Sequence, residues 1–225
     1  MNSSVFHPVY GFGGNGIKIP GYNGQFNNMS NNPVWKPGTG GGCIADGPFA
    51  SYNLSLGPGT IPTNHCLQRD LNDFFVPQLT SAQVANTTKQ STFRLFHIEL
   101  EGVPVTPTVK LHDGGHYVIG GEMSNMYSSA GGECEGLQTV TGPSTRYIDP
   151  LFYLHHANLD RIWWMWQQQN LNKRLYEVSG HTAVDPPFVE VTLDFRLKMF
   201  NLASASATIR DVMDIRNELL CYMYM

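Results

Sequence analysis

The chain has 225 residues, enough for one full-sized core. Only 14 % of them are charged, against ~25 % in ordinary soluble domains, and 23 glycines and 14 prolines point to a loop-rich single domain. A net charge of −4 with scattered signs offers no basic stripe for nucleic acid, and the bulkiest apolar run, Ile162-Trp163-Trp164-Met165-Trp166, falls far short of the ~20 residues of a membrane span.

Between Met1 and Cys66 the formal charges are Lys18, Lys36 and Asp46. Gly13-Gly14-Asn15-Gly16 and Gly38-Thr39-Gly40-Gly41-Gly42 break any periodicity there, so this third is expected to be loop wrapped over a helical core laid down later. Met1 leads at once into Phe6-His7-Pro8-Val9-Tyr10-Gly11-Phe12 with no signal-like apolar run, which reads like the middle of a domain. Sequons at Asn2, Asn28, Asn53 and Asn86 tilt toward secretion. Cys43, Cys66, Cys134 and Cys221 form no Cys-x-x-Cys pair, so disulfides and buried thiols both fit. Cys43 to Cys221 with Cys66 to Cys134 is one of three possible pairings.

Helical signals begin near Leu79. Thr80 or Ser81 can cap a short helix through Ala85, and Ser91 to Glu101 brings Phe93, Leu95, Phe96 and Leu100 near helical spacing. After Pro104 and Pro107, Val109 to Ile119 is a third helix. The strongest predicted helix runs from Pro150 to about Gln169, with Asp149 as N-cap and proline at the first helical position. It is apolar on nearly every side, which predicts burial all round. The tail is expected to hold a short strand, Phe188 to Leu193, and a helix near Thr208 to Ile215.

Histidine carries the chemistry. His112 and His116 are four apart, so on a helix both rings project from one face at a spacing suited to one metal. Gly114 and Gly115 between them cost ~1–2 kcal/mol of helix propensity, a cost that needs a reason such as close approach by another helix. His155 and His156 are adjacent, about 100° apart on a helix, so one can face a metal while the other packs or hydrogen-bonds. Asp160 lies one turn after His156 and can orient a ligand ring or pair with Arg161. Three neutral imidazoles suit zinc or copper alike. On the residues alone, a mononuclear zinc hydrolase, a copper site and a set of core histidines all stay open.

The run Asp149-Pro150-Leu151-Phe152-Tyr153-Leu154-His155-His156-Ala157-Asn158-Leu159-Asp160-Arg161 closely resembles the second-copper signature of tyrosinases, polyphenol oxidases with a coupled copper pair. Gly11 to Gly16, Cys43 to Phe49, His65-Cys66-Leu67, Leu100-Glu101-Gly102, His116 to Gly121 and Leu220 to Tyr224 also look like fungal members. The resemblance implies a mainly α, loop-rich fold around part of a four-helix copper-binding bundle. It implies His112, His116 and His156 as the ligands of copper B, with His155 as the neighbour that does not ligate. It places Glu101 at the glutamate that holds a water and takes the phenolic proton. Asp113 stands where many monophenol-active members carry Asn, which favours diphenol oxidation over the monooxygenase reaction. Tyr222 and Tyr224 match the Tyr-x-Tyr pair that closes the family's catalytic domain, and His65 and His97 fall where the family has structural residues.

The family's copper A uses three further histidines, the last two nine positions apart. Here His7, His65, His97, His155 and His181 offer no such pair. The expectation is therefore residues 1–225 as a single tyrosinase-like domain without its copper A portion, holding one copper. Its implied partners are a small phenol and dioxygen, in pigment-type phenol oxidation. The alternative is a truncated or non-catalytic tyrosinase-like protein with at most one metal ion. Loss of half a bundle would expose apolar helix faces and favour self-association.

Overall fold

A computed structural model describes residues 3–21, 38–56, 62–102, 105–124, 149–183, 186–198 and 206–225. The protein is mainly helical, with a few two- to five-residue strands among loops. The strands are β1 (Gly16–Lys18), β2 (Gly41–Ile44), β3 (Asn53–Leu56), β4 (Pro62–Cys66), β5 (Arg196–Leu197) and β6 (Ala207–Thr208). The helices are α1 (Ser81–Thr88), α2 (Phe93–Glu101), α3 (Leu111–Ile119), α4 (Leu151–Gln168) and the single turn α5 (Leu171–Arg174). The chain divides into two compact units, residues 1–83 with 101–158, and residues 84–100 with 159–225.

In the first unit the glycine-rich third is not all loop. β1 pairs antiparallel with β2, and β3 with β4. These strands are too short and too glycine-rich to leave an alternation that a sequence reading could detect. Cys43 on β2 and Cys66 on β4 form a disulfide, with Cα atoms 5.5 Å apart. That replaces the pairing of Cys43 with Cys221, which is a free, exposed thiol. Cys134 lies outside the described residues.

The expected wrapping over a helical core is present: Val5, Phe6 and Phe12 pack on the cluster of Phe75, Tyr117, Val118, Ile119, Met123 and Leu151. Its polar anchor is Arg69, fully buried. The guanidinium donates to both carboxylate oxygens of Asp149, at 2.7 and 3.0 Å, and to the carbonyls of Phe12 and Gly13 at 3.0 and 2.8 Å. Asp149 in turn accepts the Leu151 amide at 2.9 Å, so the residue read as the N-cap of α4 caps it while neutralising a buried cation. α3 is buried at every position except His112. It stops at Gly120 and Gly121, whose φ of 64° and 53° favour glycine, and a Cβ at Gly121 would lie 2.2 Å from the Gln68 carbonyl oxygen.

In the second unit Phe96, Ile162, Trp166 and Met213 are fully buried. The Trp166 indole N–H donates to the Gln90 carbonyl at 2.7 Å, and the Arg174 guanidinium lies 4.5 Å over the Trp166 ring. Asp160 accepts from the hydroxyls of Tyr222 at 2.7 Å and Tyr224 at 2.5 Å, so its contacts are neither a ligand histidine nor a simple Arg161 pair. Burial, then the hydrogen bond to Asp160 and its charge, pushes Tyr224 up to about 12 and Tyr222 higher still.

Three element expectations are corrected. α1 continues past Ala85 to Thr88, whose hydroxyl donates back to the Val84 carbonyl at 3.0 Å. Phe188 to Leu193 forms no strand beyond a single bridge, His181 to Glu190; Phe188 and Val189 stay exposed and have no core to alternate against. Thr208 to Ile215 is a short 3-10 turn, Arg210–Val212, because Asp211 accepts from both the amide and the hydroxyl of Thr208 and closes the segment locally.

α4 differs from expectation in burial, not extent. Leu151, Leu159, Ile162 and Trp166 form one buried stripe, while Tyr153, Leu154 and Met165 on other sides are exposed. Apolar character on every side therefore did not mean burial on every side. No described helix is long and apolar enough to cross a membrane.

Candidate metal centre

α3 contributes His112 and His116 and the start of α4 contributes His156, and the three rings offer ligand nitrogens all within 4.8 Å of one another. The His116 Nε2 lies 3.1 Å from the His112 Nε2 and 3.2 Å from the His156 Nε2. The far side of each of the first two rings explains why the Nε2 atoms point inward. His116 Nδ1 donates to the Met123 carbonyl at 2.7 Å, so its Nε2 carries a bare lone pair. The Glu101 carboxylate stands 3.1 Å from His112 Nδ1, at ion-pair distance but without the alignment of a hydrogen bond.

Two imidazole nitrogens 3.1 Å apart can share a proton or face a common cation. With metal–nitrogen bonds of ~2.0–2.1 Å, the edge of a tetrahedron of ligands is about 3.3 Å, close to the two separations of 3.1 and 3.2 Å that involve His116, while the trio as a whole spans up to 4.8 Å. The residues present therefore fit one ion of the zinc or copper type.

The supporting residues are equally specific. The Phe152 ring stacks on His156 with centroids 4.1 Å apart. His155 turns away from the trio: its Nε2–H donates to the His112 carbonyl at 2.8 Å, and burial pushes its pKa down to about 4, which keeps the ring neutral. A Cβ on Gly115 would fall 2.1 Å from the His155 Cε1, so the close approach by another helix expected at the glycine pair is that of His155.

Asp113 is buried at the start of α3, where its Oδ1 accepts the amides of Lys110 at 2.6 Å and Gly114 at 3.0 Å. It fixes the helix end that carries His112. The remaining histidines have other employment. His7 accepts the amides of Val9 and Tyr10, His97 stacks on Phe93, and His181 pairs with Glu190.

Reasoning from sequence missed Met123 and Glu122. A backbone carbonyl carries no residue signature, so nothing marks Met123 as the partner of His116. Glu122 is fully buried, its Oε1 3.2 Å from the His65 Nε2. Burial, then the nearby charge of Asp149, raises Glu122 to about 8, while burial lowers His65. Glu122 is the residue before Met123, whose carbonyl orients His116.

Residues 1–169 match the family described as the common central domain of tyrosinase. The chain belongs to the tyrosinase family. Among its relatives, it is 31 % identical over 207 residues to the oxidase hkm6 of Aspergillus hancockii, covering 83 % of this chain and 66 % of that one. It is 30 % identical over 233 residues to the tyrosinase ustQ of Aspergillus flavus, covering 99 % of this chain and 52 % of the relative. A solved polyphenol oxidase (mutant G292N) from Thermothelomyces thermophila superposes with a TM-score of 0.75 at 27 % identity, over 97 % of this chain and 60 % of that one. The chain thus spans roughly half to two thirds of the length of these tyrosinase relatives. Family membership implies copper, and the three-histidine group supplies a donor set that accepts it.

Proposed function

We propose that this chain is the copper B part of a phenol oxidase that converts phenols or o-diphenols to quinones with dioxygen. The observation that supports it most is the convergence of three Nε2 atoms, that of His116 left with a lone pair by the hydrogen bond from its Nδ1 to the Met123 carbonyl. His112, His116 and His156 hold one copper ion, which when bound supplies one-electron redox chemistry. Phe152 backs the His156 ring and limits its rotation. Glu101, aligned by its contact with His112, is the proposed acceptor of the phenolic proton. Asp113, committed to the amides that open α3, leaves diphenol oxidation the favoured reaction over hydroxylation of monophenols.

Oxidation of an o-diphenol to its quinone removes two electrons and two protons. A single one-electron metal site handles half of that, so the 225-residue chain by itself has little diphenol oxidase activity. The same single three-histidine group among the described residues supports a second reading, a tyrosinase-like protein that binds one metal without turnover. Copper analysis of the purified chain tests both: one ion per chain is expected. Two ions per chain, or robust quinone formation from catechol, would overturn the one-site account.

A further inference from the structure

We propose that His155 is a positioning residue for the metal centre, setting the register of the first two turns of α4 against α3 so that His156 meets His112 and His116. The proposal rests on the reading of those three histidines as copper ligands, and it adds a role for a ring that does not bind the ion.

The geometric demand is strict. Ligand distances tolerate about ±0.2 Å, whereas a slip of one residue along a helix displaces side chains by ~1.5 Å and rotates them by ~100°. Two ligands from one helix fix each other's spacing by the i, i+4 repeat. The third comes from another helix and needs an independent pin. His155 supplies it at the shortest possible distance in sequence, one residue from His156. Its Nε2–H donates at 2.8 Å to the carbonyl of His112, itself a ligand residue. That carbonyl has a second lone pair, so the bond coexists with the hydrogen-bond ladder of α3.

The seat of the ring is as specific as the bond. A Cβ at position 115 would lie 2.1, 2.5 and 2.6 Å from Cε1, Nδ1 and Nε2 of His155. Any other residue at 115 expels the ring, so Gly115 and His155 form a dependent pair. The seated ring runs parallel to His112, with an interplanar angle of 2° at 6.0 Å, and nearly perpendicular to His116, at 87° and 5.1 Å. It sits beside the ligands with its Nε2 committed to a carbonyl.

The experiment measures copper(II) affinity of the full chain by competition with a chromophoric chelator, the copper(II) electron paramagnetic resonance spectrum, and helicity by circular dichroism. His155→Leu removes the donor; His155→Gln keeps an amide donor at the equivalent position. His155→Leu is expected to weaken copper binding by at least about tenfold, the scale typical for outer partners of metal ligands, and to broaden the spectrum. His155→Gln should stay within about threefold of the native chain. Gly115→Ala should cost about tenfold in the native background and less than twofold in a His155→Ala background, where the space is vacated. Native affinity in His155→Leu, equal losses in the Leu and Gln variants, or equal Gly115→Ala effects in both backgrounds would each overturn the proposal. If His155→Leu loses its helicity, the Gln variant and the Gly115 cycle decide. His156→Ala separates the two claims. If it leaves copper binding unchanged, the ligand assignment fails; if it abolishes binding while His155→Leu is silent, only the positioning role fails.

Discussion

The two helices that meet at the metal centre are built on opposite plans. α3 is nine residues long, carries two glycines, and is buried everywhere but at His112. α4 is eighteen residues long and shows one buried stripe, with Tyr153 62 % and Leu154 44 % exposed. α3 has poor intrinsic propensity and is held from outside: Asp113 caps its start, the Met123 carbonyl accepts the His116 Nδ1–H, and Glu101 stands against His112. α4 is long enough to sustain itself and is anchored at its first turn by the Arg69–Asp149 pair. The comparison teaches that precision at the site comes from the short, dependent helix, and that the long one needs only to be pinned near its beginning.

Removing a ligand from the short helix should have the largest effect. His116→Ala is expected to weaken copper binding by more than the ~10–100-fold typical of an outer partner, measured by chelator competition. An unchanged affinity would mean that the short helix does not supply a ligand there. Next, Arg69→Ala strands the Asp149 carboxylate in the interior and should cost about 3–5 kcal/mol of stability in urea unfolding. A loss below about 1 kcal/mol would mean that α4 does not depend on that anchor.

Glu122 behind α3 predicts a pH dependence. Its folded pKa of about 8 lies above the model-peptide value of 4.5, so folding favours the neutral acid. The stability this contributes is complete below about pH 4.5 and is lost as pH rises through about 8, on the order of a few kcal/mol at 1.36 kcal/mol per unit. Unfolding midpoints measured from pH 5 to 9 should fall in the native chain and fall less in Glu122→Gln. Parallel curves would assign the slope to other groups. The smallest effect belongs to the cap: Asp113→Ala should destabilise by about 1 kcal/mol, with Asp113→Asn milder because an acceptor remains.

Much of this was legible in the sequence because its cause is local. Asp149-Pro150 announces the start of α4 through amides only one to three residues away, and the spacing of His112 and His116 follows from the helical repeat. The two glycines between them signal a close neighbour without naming it. The Cys43–Cys66 bridge, the short strands and the burial of Arg69 were not legible. Each depends on partners dozens of residues distant and on segments too short to carry a period. The apolar sequence of α4 overstates its burial, since hydrophobicity states what a face would gain from cover and is silent on whether cover exists.

By itself, then, the order of residues determined which imidazoles were candidates, where their helices begin and which protein family they belong to by resemblance. Tertiary structure decided which nitrogen of each ring faces the others: a Met123 carbonyl and a Glu101 carboxylate take the outer sides of two of them. It also decided that His155 serves a backbone oxygen while His156 joins the cluster. The physical reason is that ring orientation is set by hydrogen-bond partners that only the folded chain brings within 3 Å or so, and one helix cannot know the register of another until they pack.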